Sequence, residues 1–125
     1  MKLLTIDDSR MIRRVICDVA ATIGFETIEA ESGGRGLQAM KAETEAIELV
    51  LLDWNMPGMN GLEVLKEIKA DQDLQHIPVM MVTTEGERKN IVAAIQAGAV
   101  NYLTKPFTQE DLATKIYESL GMGGA

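Results

Sequence analysis

Three carboxylates, one hydroxyl and one ammonium stand at the ends of short apolar runs in this sequence. They are, in chain order, Asp7, Asp8, Asp53, Thr83 and Lys105. Carboxylates held close together repel one another and raise each other's pKa, so a cluster of them is tolerated only where a cation shares it. An all-oxygen ligand set suits a hard cation, and Mg²⁺ fits best because it binds few carboxylates and leaves positions for phosphate oxygens. If the fold brings these residues together, they form a Mg²⁺ site that handles phosphate.

The apolar runs alternate with longer amphipathic segments, a pattern typical of βα units that build a parallel sheet. Five strands are predicted, at residues 3–6, 25–29, 49–52, 79–82 and 100–103. Apolar residues at helical spacing predict a helix after each strand; the first runs from about Met11 to Ile23, the second over residues 36–42 and the third over residues 61–70. The fold class is therefore α/β, with a three-layer, five-stranded parallel sheet. Such sheets bind ligands at the carboxyl ends of their strands, which is where the five side chains stand.

Length and composition narrow the class of protein. The chain has 125 residues, 46% hydrophobic and 25% charged, which is typical of one globular domain rather than of disordered or fibrous sequence. The 12 Lys and Arg against 19 Asp and Glu give a net charge of −7, which disfavours nucleic acid and anionic membranes as partners. The lone Cys17 excludes an internal disulfide, and no apolar stretch approaches the roughly 20 residues needed to cross a bilayer. We expect a cytoplasmic monomer with one domain over residues 1–121 and a flexible tail over residues 122–125.

Taken singly, each candidate residue also has a structural explanation. Ser9 or Asp8 suits the N-cap of the first helix, and Asp53 suits a turn. A lysine such as Lys105 is usually solvated, and Thr83 suits a strand. What favours a site is their joint placement at the ends of different strands.

The same residues belong to a set of motifs that occurs in a known family. The set comprises Asp7-Asp8, then Asp53-Trp54-Asn55-Met56-Pro57-Gly58, then Thr83, then Lys105-Pro106-Phe107. In order and spacing it resembles the receiver domain of two-component response regulators, over essentially the whole chain. Residues 54–58, 97–99 and 105–108 are most similar to the single-domain chemotaxis regulators of that family. The resemblance implies a flavodoxin-like (βα)5 fold with the strand order 2-1-3-4-5.

The resemblance implies a chemical role for the acidic residues. Asp53 would accept a phosphoryl group from a phosphohistidine of a histidine kinase and form an acyl phosphate. Asp8, Asp53 and the backbone carbonyl of Asn55 would bind Mg²⁺, and Asp7 would hold a metal-bound water. The metal would neutralise charge on the transferred group, which is most of what phosphoryl transfer requires of a protein. The resemblance also implies a cis peptide bond between Lys105 and Pro106.

A second group of residues would respond to the phosphoryl group. Lys105 would pair with one phosphoryl oxygen, and Thr83 would donate its hydroxyl to another. The movement of Thr83 would open space for Tyr102 to turn from a solvent-exposed to a buried rotamer. Because both conformers exist beforehand, phosphorylation need only shift their populations. Asn55 and Glu85 would set the lifetime of the acyl phosphate.

The implied protein is a phosphoacceptor that catalyses its own phosphorylation and dephosphorylation, not an enzyme that acts on other molecules. Its output face would comprise the fourth helix, the fifth strand and the fifth helix. Its target would be another protein, such as a flagellar motor switch in chemotaxis, with a histidine kinase as phosphodonor and a phosphatase as a further partner. A stand-alone receiver that serves as a phosphorelay intermediate or a phosphate sink is an alternative with the same chemistry.

A glycine motif offers a competing hypothesis. Residues 34–39 fit G-x-G-x-x-A, the fingerprint of dinucleotide-binding proteins, and Asp53 lies near the expected distance downstream. Against this, a complete βα unit precedes the motif, whereas the fingerprint belongs to the first βα turn. A flavin carrier is disfavoured because Asp7 and Asp8 would repel the flavin phosphate. Both stay remote alternatives.

Overall fold

Strands and helices alternate along the chain in the computed structural model, which describes residues 1–121. The elements are β1 (Lys2–Ile6), α1 (Arg10–Thr22), β2 (Glu26–Ala30), α2 (Gly33–Ala42), β3 (Ile47–Leu52), α3 (Gly61–Ala70), β4 (Val79–Thr83), α4 (Arg88–Gln96), β5 (Asn101–Thr104) and α5 (Gln109–Ser119). The flexible tail expected over residues 122–125 lies outside the described residues. Within residues 1–121, no helix has the length and apolar character needed to cross a membrane.

The strands pair in parallel in the order β2-β1-β3-β4-β5, which confirms the expected fold class and strand order. The register sets the carboxyl ends of the central strands level, because Ile6 pairs with both Ala30 and Leu52. The backbone amide of Asp53 also donates to the carbonyl of Ile6 over 2.9 Å. The residues that follow β1 and β3 therefore start from neighbouring positions at one end of the sheet.

Each face of the sheet carries its own apolar core. Leu4 and Ile6 pack in the core between the sheet and the helices α2, α3 and α4. Leu3 packs in the core between the other face of the sheet and the helices α1 and α5. Side chains of a strand alternate between the two faces, so a strand covered on both sides is apolar at consecutive positions. The three layers expected from the sequence are therefore present.

Some element boundaries differ from those expected. α2 begins at Gly33 rather than at residue 36, because the side chain of Ser32 caps the helix at that earlier point. β2 and β5 lie one residue later than expected, and β5 covers Asn101–Thr104 while Val100 is exposed. Met11, which was expected among the apolar positions of the first helix, is 74% exposed. None of these shifts moves a strand end away from the site.

The glycine motif at residues 34–39 lies inside α2 and not in a turn that leads into a helix. Gly36 packs against Ile6 of β1, and a Cβ at this position would clash with that side chain. Close packing of a helix on a strand therefore accounts for Gly36. The tight turn that a dinucleotide fingerprint requires is absent from this segment.

Candidate functional site

Three carboxylates meet at the carboxyl ends of β1 and β3, where their positions in the sequence place them. One oxygen of each of Asp7, Asp8 and Asp53 lies within 4.8 Å of the other two. Asp7 and Asp53 are 2% and 5% exposed, whereas Asp8 faces solvent. Two buried carboxylates side by side need a positive charge nearby, because removing ions from water is costly.

Lys105 supplies a positive charge to this cluster. Its Nζ lies 2.7 Å from Asp7 Oδ2 and 3.4 Å from Asp53 Oδ2, and its side chain is largely buried. Its backbone amide donates to the carbonyl of Thr83, which holds the lysine beside β4. The Lys105–Pro106 peptide bond is cis, as the motif resemblance implies. A single ammonium leaves the three carboxylates with excess negative charge.

Asp7 is held by contacts on both its side chain and its backbone. The amide of Ser9 donates to Asp7 Oδ1 over 2.8 Å, and Arg13 donates from Nη1 to the backbone carbonyl over 2.7 Å. Arg13 also donates from Nε to Glu29 over 3.1 Å. Burial raises the pKa of Asp7, against the opposing hydrogen bonds from Lys105 and Ser9. Arg13 was not among the residues predicted for the site; the signal for it is its spacing of one helical turn from the N-cap Ser9.

The donor set fits a hard divalent cation. The clustered ligand atoms are all carboxylate oxygens, from Asp7, Asp8 and Asp53. The backbone amide of Asn55 donates to Asp53 Oδ1 over 3.4 Å, so the backbone of Asn55 lies beside this cluster. Mg²⁺ prefers oxygen ligands and commonly uses one or two carboxylates. The excess negative charge around Lys105 also favours a bound cation. The structure thus brings together Asp7, Asp8 and Asp53 in an arrangement that suits Mg²⁺, and Asn55 adjoins Asp53.

The two residues expected to switch lie on the neighbouring strands. Thr83 ends β4 and is buried, and its Oγ1 accepts a hydrogen bond from the amide of Glu85 over 3.2 Å. Tyr102 of β5 is half-buried, and its hydroxyl donates to the backbone carbonyl of Glu85. Burial raises the pKa of Tyr102 to about 12. Within residues 1–121, no hydrogen bond joins Thr83 or Tyr102 to Asp53.

The two residues expected to set the phosphate lifetime make separate contacts. The side-chain amide of Asn55 donates to Thr84 Oγ1 over 3.4 Å. The carboxylate of Glu85 accepts instead from the side-chain amide of Asn90 in α4 over 2.9 Å. In the described part of the chain, no hydrogen bond links Asn55 to Glu85. The loops after β3 and β4 therefore present these two side chains independently.

The fold and the acidic site together define a class of protein. The sequence features of the response regulator receiver domain match residues 3–117, and the chain belongs to that family. The resemblance seen in the motifs is thereby confirmed. The chain is a signalling protein of the two-component type, in which phosphorylation controls the signal.

Individual relatives connect this receiver to chemotaxis. Chemotaxis protein CheY1 of Helicobacter pylori strain J99 is 40% identical over 122 residues, which cover 97% of this chain and 98% of that protein. The solved structure of Vibrio cholerae chemotaxis protein CheY4 matches with a TM-score of 0.86 and 30% identity, over 95% of this chain and 98% of that one. The solved Mn(2+)-bound form of response regulator Rcp1 matches with a TM-score of 0.80 and 29% identity, over 99% and 96%. The chain is therefore similar to chemotaxis regulators over almost its whole length.

Proposed function

We propose that this chain is a phosphorylation-dependent signalling switch and that Asp53 is its phosphoryl acceptor. The observation that carries the proposal is the place of Asp53 in the cluster, beside two carboxylates and the ammonium of Lys105. The oxygens of Asp7 are occupied by Ser9 and Lys105 at 2.8 and 2.7 Å, and Asp8 is exposed. Both hydrogen bonds to the carboxylate oxygens of Asp53 are longer, at 3.4 Å, which leaves these oxygens freer to react.

The phosphodonor in this proposal is a phosphohistidine on a histidine kinase. A carboxylate oxygen of Asp53 attacks the phosphorus, the P–N bond breaks as the P–O bond forms, and the freed imidazole nitrogen takes up a proton. Hydrolysis of the acyl phosphate then returns the carboxylate and releases inorganic phosphate, alone or with a phosphatase. Asn55 and Glu85, on the loops after β3 and β4, would set the rate of this hydrolysis.

We assign Mg²⁺ binding to Asp8, Asp53 and Asn55, with Asp7 beside them. The all-oxygen donor set and the excess negative charge support this assignment, as does the Mn(2+)-bound form of the similar regulator Rcp1. The cation, when bound, neutralises charge on the phosphoryl oxygens.

The residues around the acceptor would convert phosphorylation into a change of shape. Lys105, which pairs with two carboxylates in the unmodified protein, would pair with a phosphoryl oxygen. Thr83 would turn its hydroxyl from the amide of Glu85 to a second phosphoryl oxygen. Tyr102 would then move from its half-buried position to a buried one. Phosphorylation would act by shifting the populations of two existing conformers.

The output would pass through α4, β5 and α5 to a target protein. Val92, Ile95 and Val100, on α4 or just before β5, are 44%, 46% and 49% exposed. Val92 and Ile95 are three residues apart on α4 and therefore lie on one face of the helix, and contiguous exposed apolar side chains mark protein interaction sites. Because the relatives are chemotaxis proteins, a flagellar motor switch is the target we favour over a role as relay intermediate or phosphate sink. We place the protein in the cytoplasm as a monomer, with one receiver domain over residues 1–121.

Modification of Asp53 by a small acyl phosphate tests the proposal. Wild type, Asp53→Asn and Asp18→Asn are incubated with the donor, with and without Mg²⁺, and their intact masses are measured. Asp18 is an exposed aspartate on α1, so Asp18→Asn is a matched control. We expect Mg²⁺-dependent modification of wild type and of the control but not of Asp53→Asn. Equal modification of all three proteins, or indifference to the metal, would contradict the proposal.

A further inference from the structure

Glu85 joins three elements of the fold through hydrogen bonds. Its amide donates to Thr83 Oγ1 over 3.2 Å, so it is bonded to the end of β4. Its backbone carbonyl accepts from the hydroxyl of Tyr102 on β5. Its carboxylate accepts from the side chain of Asn90 on α4 over 2.9 Å. One loop residue therefore contacts the end of β4, β5 and the start of α4 at the same time.

The first turn of α4 depends on this carboxylate for a side-chain acceptor. The N-cap residue Glu87 makes no capping hydrogen bond with its own side chain. Instead Glu85 Oε1 accepts from the amide of Glu87 over 3.1 Å as well as from Asn90. An anionic side chain at a helix N-terminus satisfies a free amide and also interacts favourably with the helix dipole.

An ion pair between side chains of this turn is a weaker contact. Lys89 and Glu87 form an ion pair of 3.6 Å, but their side chains are 79% and 68% exposed. Exposed pairs of this kind contribute little, because water screens them and long side chains lose freedom. Asn90 is half-buried and bonds at 2.9 Å, so it is the more effective link between Glu85 and α4.

We propose that Asn90 is a positioning residue that couples α4 to the phosphoryl site through Glu85. The inference rests on the proposed function, in which Thr83 turns away from the amide of Glu85. That movement removes the acceptor of the Glu85 amide and lets this loop residue shift. Because Asn90 ties the Glu85 carboxylate to α4, the shift reaches the first turn of the helix.

Three variants separate this coupling from a general effect on the helix. Asn90→Ala removes the donor, Asn90→Gln keeps an amide donor, and Gln96→Ala removes an exposed amide from the other end of the same helix. Alanine is a better helix former than asparagine, so we expect Asn90→Ala to fold.

The first measurement uses the unmodified proteins. The hydrogen bond from Asn90 is the largest cause of the lowered pKa of Glu85, followed by that from Glu87. An NMR titration of the Glu85 carboxyl carbon should therefore show this pKa rising towards its ordinary value of 4.5 in Asn90→Ala. The pKa should stay low in Asn90→Gln and Gln96→Ala. An unchanged pKa in Asn90→Ala would overturn the link between the two side chains.

The second measurement compares the response of α4 to phosphorylation. Asp53 modification is followed by intact mass, and the response by the amide chemical shifts of Ala94 and Ile95. We expect Asn90→Ala to be modified like wild type but to show a response at least about twofold smaller, restored in Asn90→Gln. Normal modification with a full response in Asn90→Ala would overturn the coupling alone. Failure of wild type to be modified would overturn the proposed function and the coupling with it.

Discussion

The substitution Lys105→Met removes the ammonium that lies 2.7 Å from Asp7 and 3.4 Å from Asp53. Methionine keeps an apolar stem of similar shape, so the main loss is the charge. Removing one partner of a buried ion pair costs about 3–5 kcal/mol, because the remaining charge stays buried without compensation. For a domain of this size, about 1 kcal/mol moves the melting temperature by roughly 3–5 °C. We therefore expect the melting temperature to fall by roughly 9–25 °C at neutral pH without divalent metal.

The size of this loss should depend on pH and on Mg²⁺. Burial raises the pKa of Asp7 in the folded protein, so the folded state takes up a proton more readily than the unfolded chain. Protonation of Asp7 therefore stabilises the folded state. This contribution to the free energy of unfolding is fully present below the ordinary pKa of 3.8 and is lost as the pH rises through the raised pKa of the folded protein. Without Lys105 the pKa of Asp7 rises further. The difference in melting temperature between wild type and Lys105→Met should therefore shrink at acidic pH, where Asp7 is protonated. It should also shrink in Mg²⁺, because a bound cation would compensate the same carboxylates.

Calorimetry of both proteins with a chelator or with Mg²⁺ measures this difference directly. Lys115→Met is the matched control, because Lys115 forms a surface pair with Glu118 at 3.6 Å and both side chains are partly exposed. Such a pair contributes about 0–1 kcal/mol. If Lys105→Met and Lys115→Met lose the same stability in the chelator, the argument that Lys105 compensates buried charge is wrong.

Two further predictions concern packing and thiol chemistry. A Cβ on Gly61 would meet the backbone carbonyl of Asp53, so Gly61→Ala should lower the free energy of unfolding in urea by about 2 kcal/mol or more. Gly34→Ala, at an open helical position, should keep or raise it by up to about 1 kcal/mol, and equal effects would contradict the steric argument. Burial raises the pKa of the Cys17 thiol, so iodoacetamide at about pH 8 should alkylate the folded protein at least about tenfold more slowly than the urea-unfolded chain. Equal alkylation rates would refute this.

The sheet and the acidic cluster could be predicted because they follow from pattern and topology. Continuous apolar runs such as residues 49–52 indicate strands covered on both faces. Parallel strands bring their carboxyl ends to one end of the sheet, so Asp7, Asp53 and Lys105 had to approach one another once the strands were correctly assigned. The helix start at Ser32 was missed because the glycine-rich segment after it has low helix propensity.

The contacts of the β4–α4 loop could not be predicted from the sequence. Tyr102 donates to a backbone carbonyl, and every residue type has such a carbonyl, so no side-chain pattern indicates the partner. The carboxylate of Glu85 could face either the proposed phosphoryl site or the first turn of α4. The structure shows that it faces α4, where it accepts from Asn90. Directions of side chains in loops depend on backbone geometry that spacing alone does not determine.

The order of the strands also determines which two strands lie at the edges of the sheet, where backbone N–H and C=O groups have no partner strand. The edge strands are β2 and β5. An edge strand can pair with a strand of another copy and cause aggregation, unless it is short or carries charged side chains. β2 presents Glu26 and Glu29, both exposed, and β5 is only four residues long. Two copies that approach through β2 would bring like charges together. The two edge strands therefore disfavour growth of the sheet by pairing with further copies of the chain.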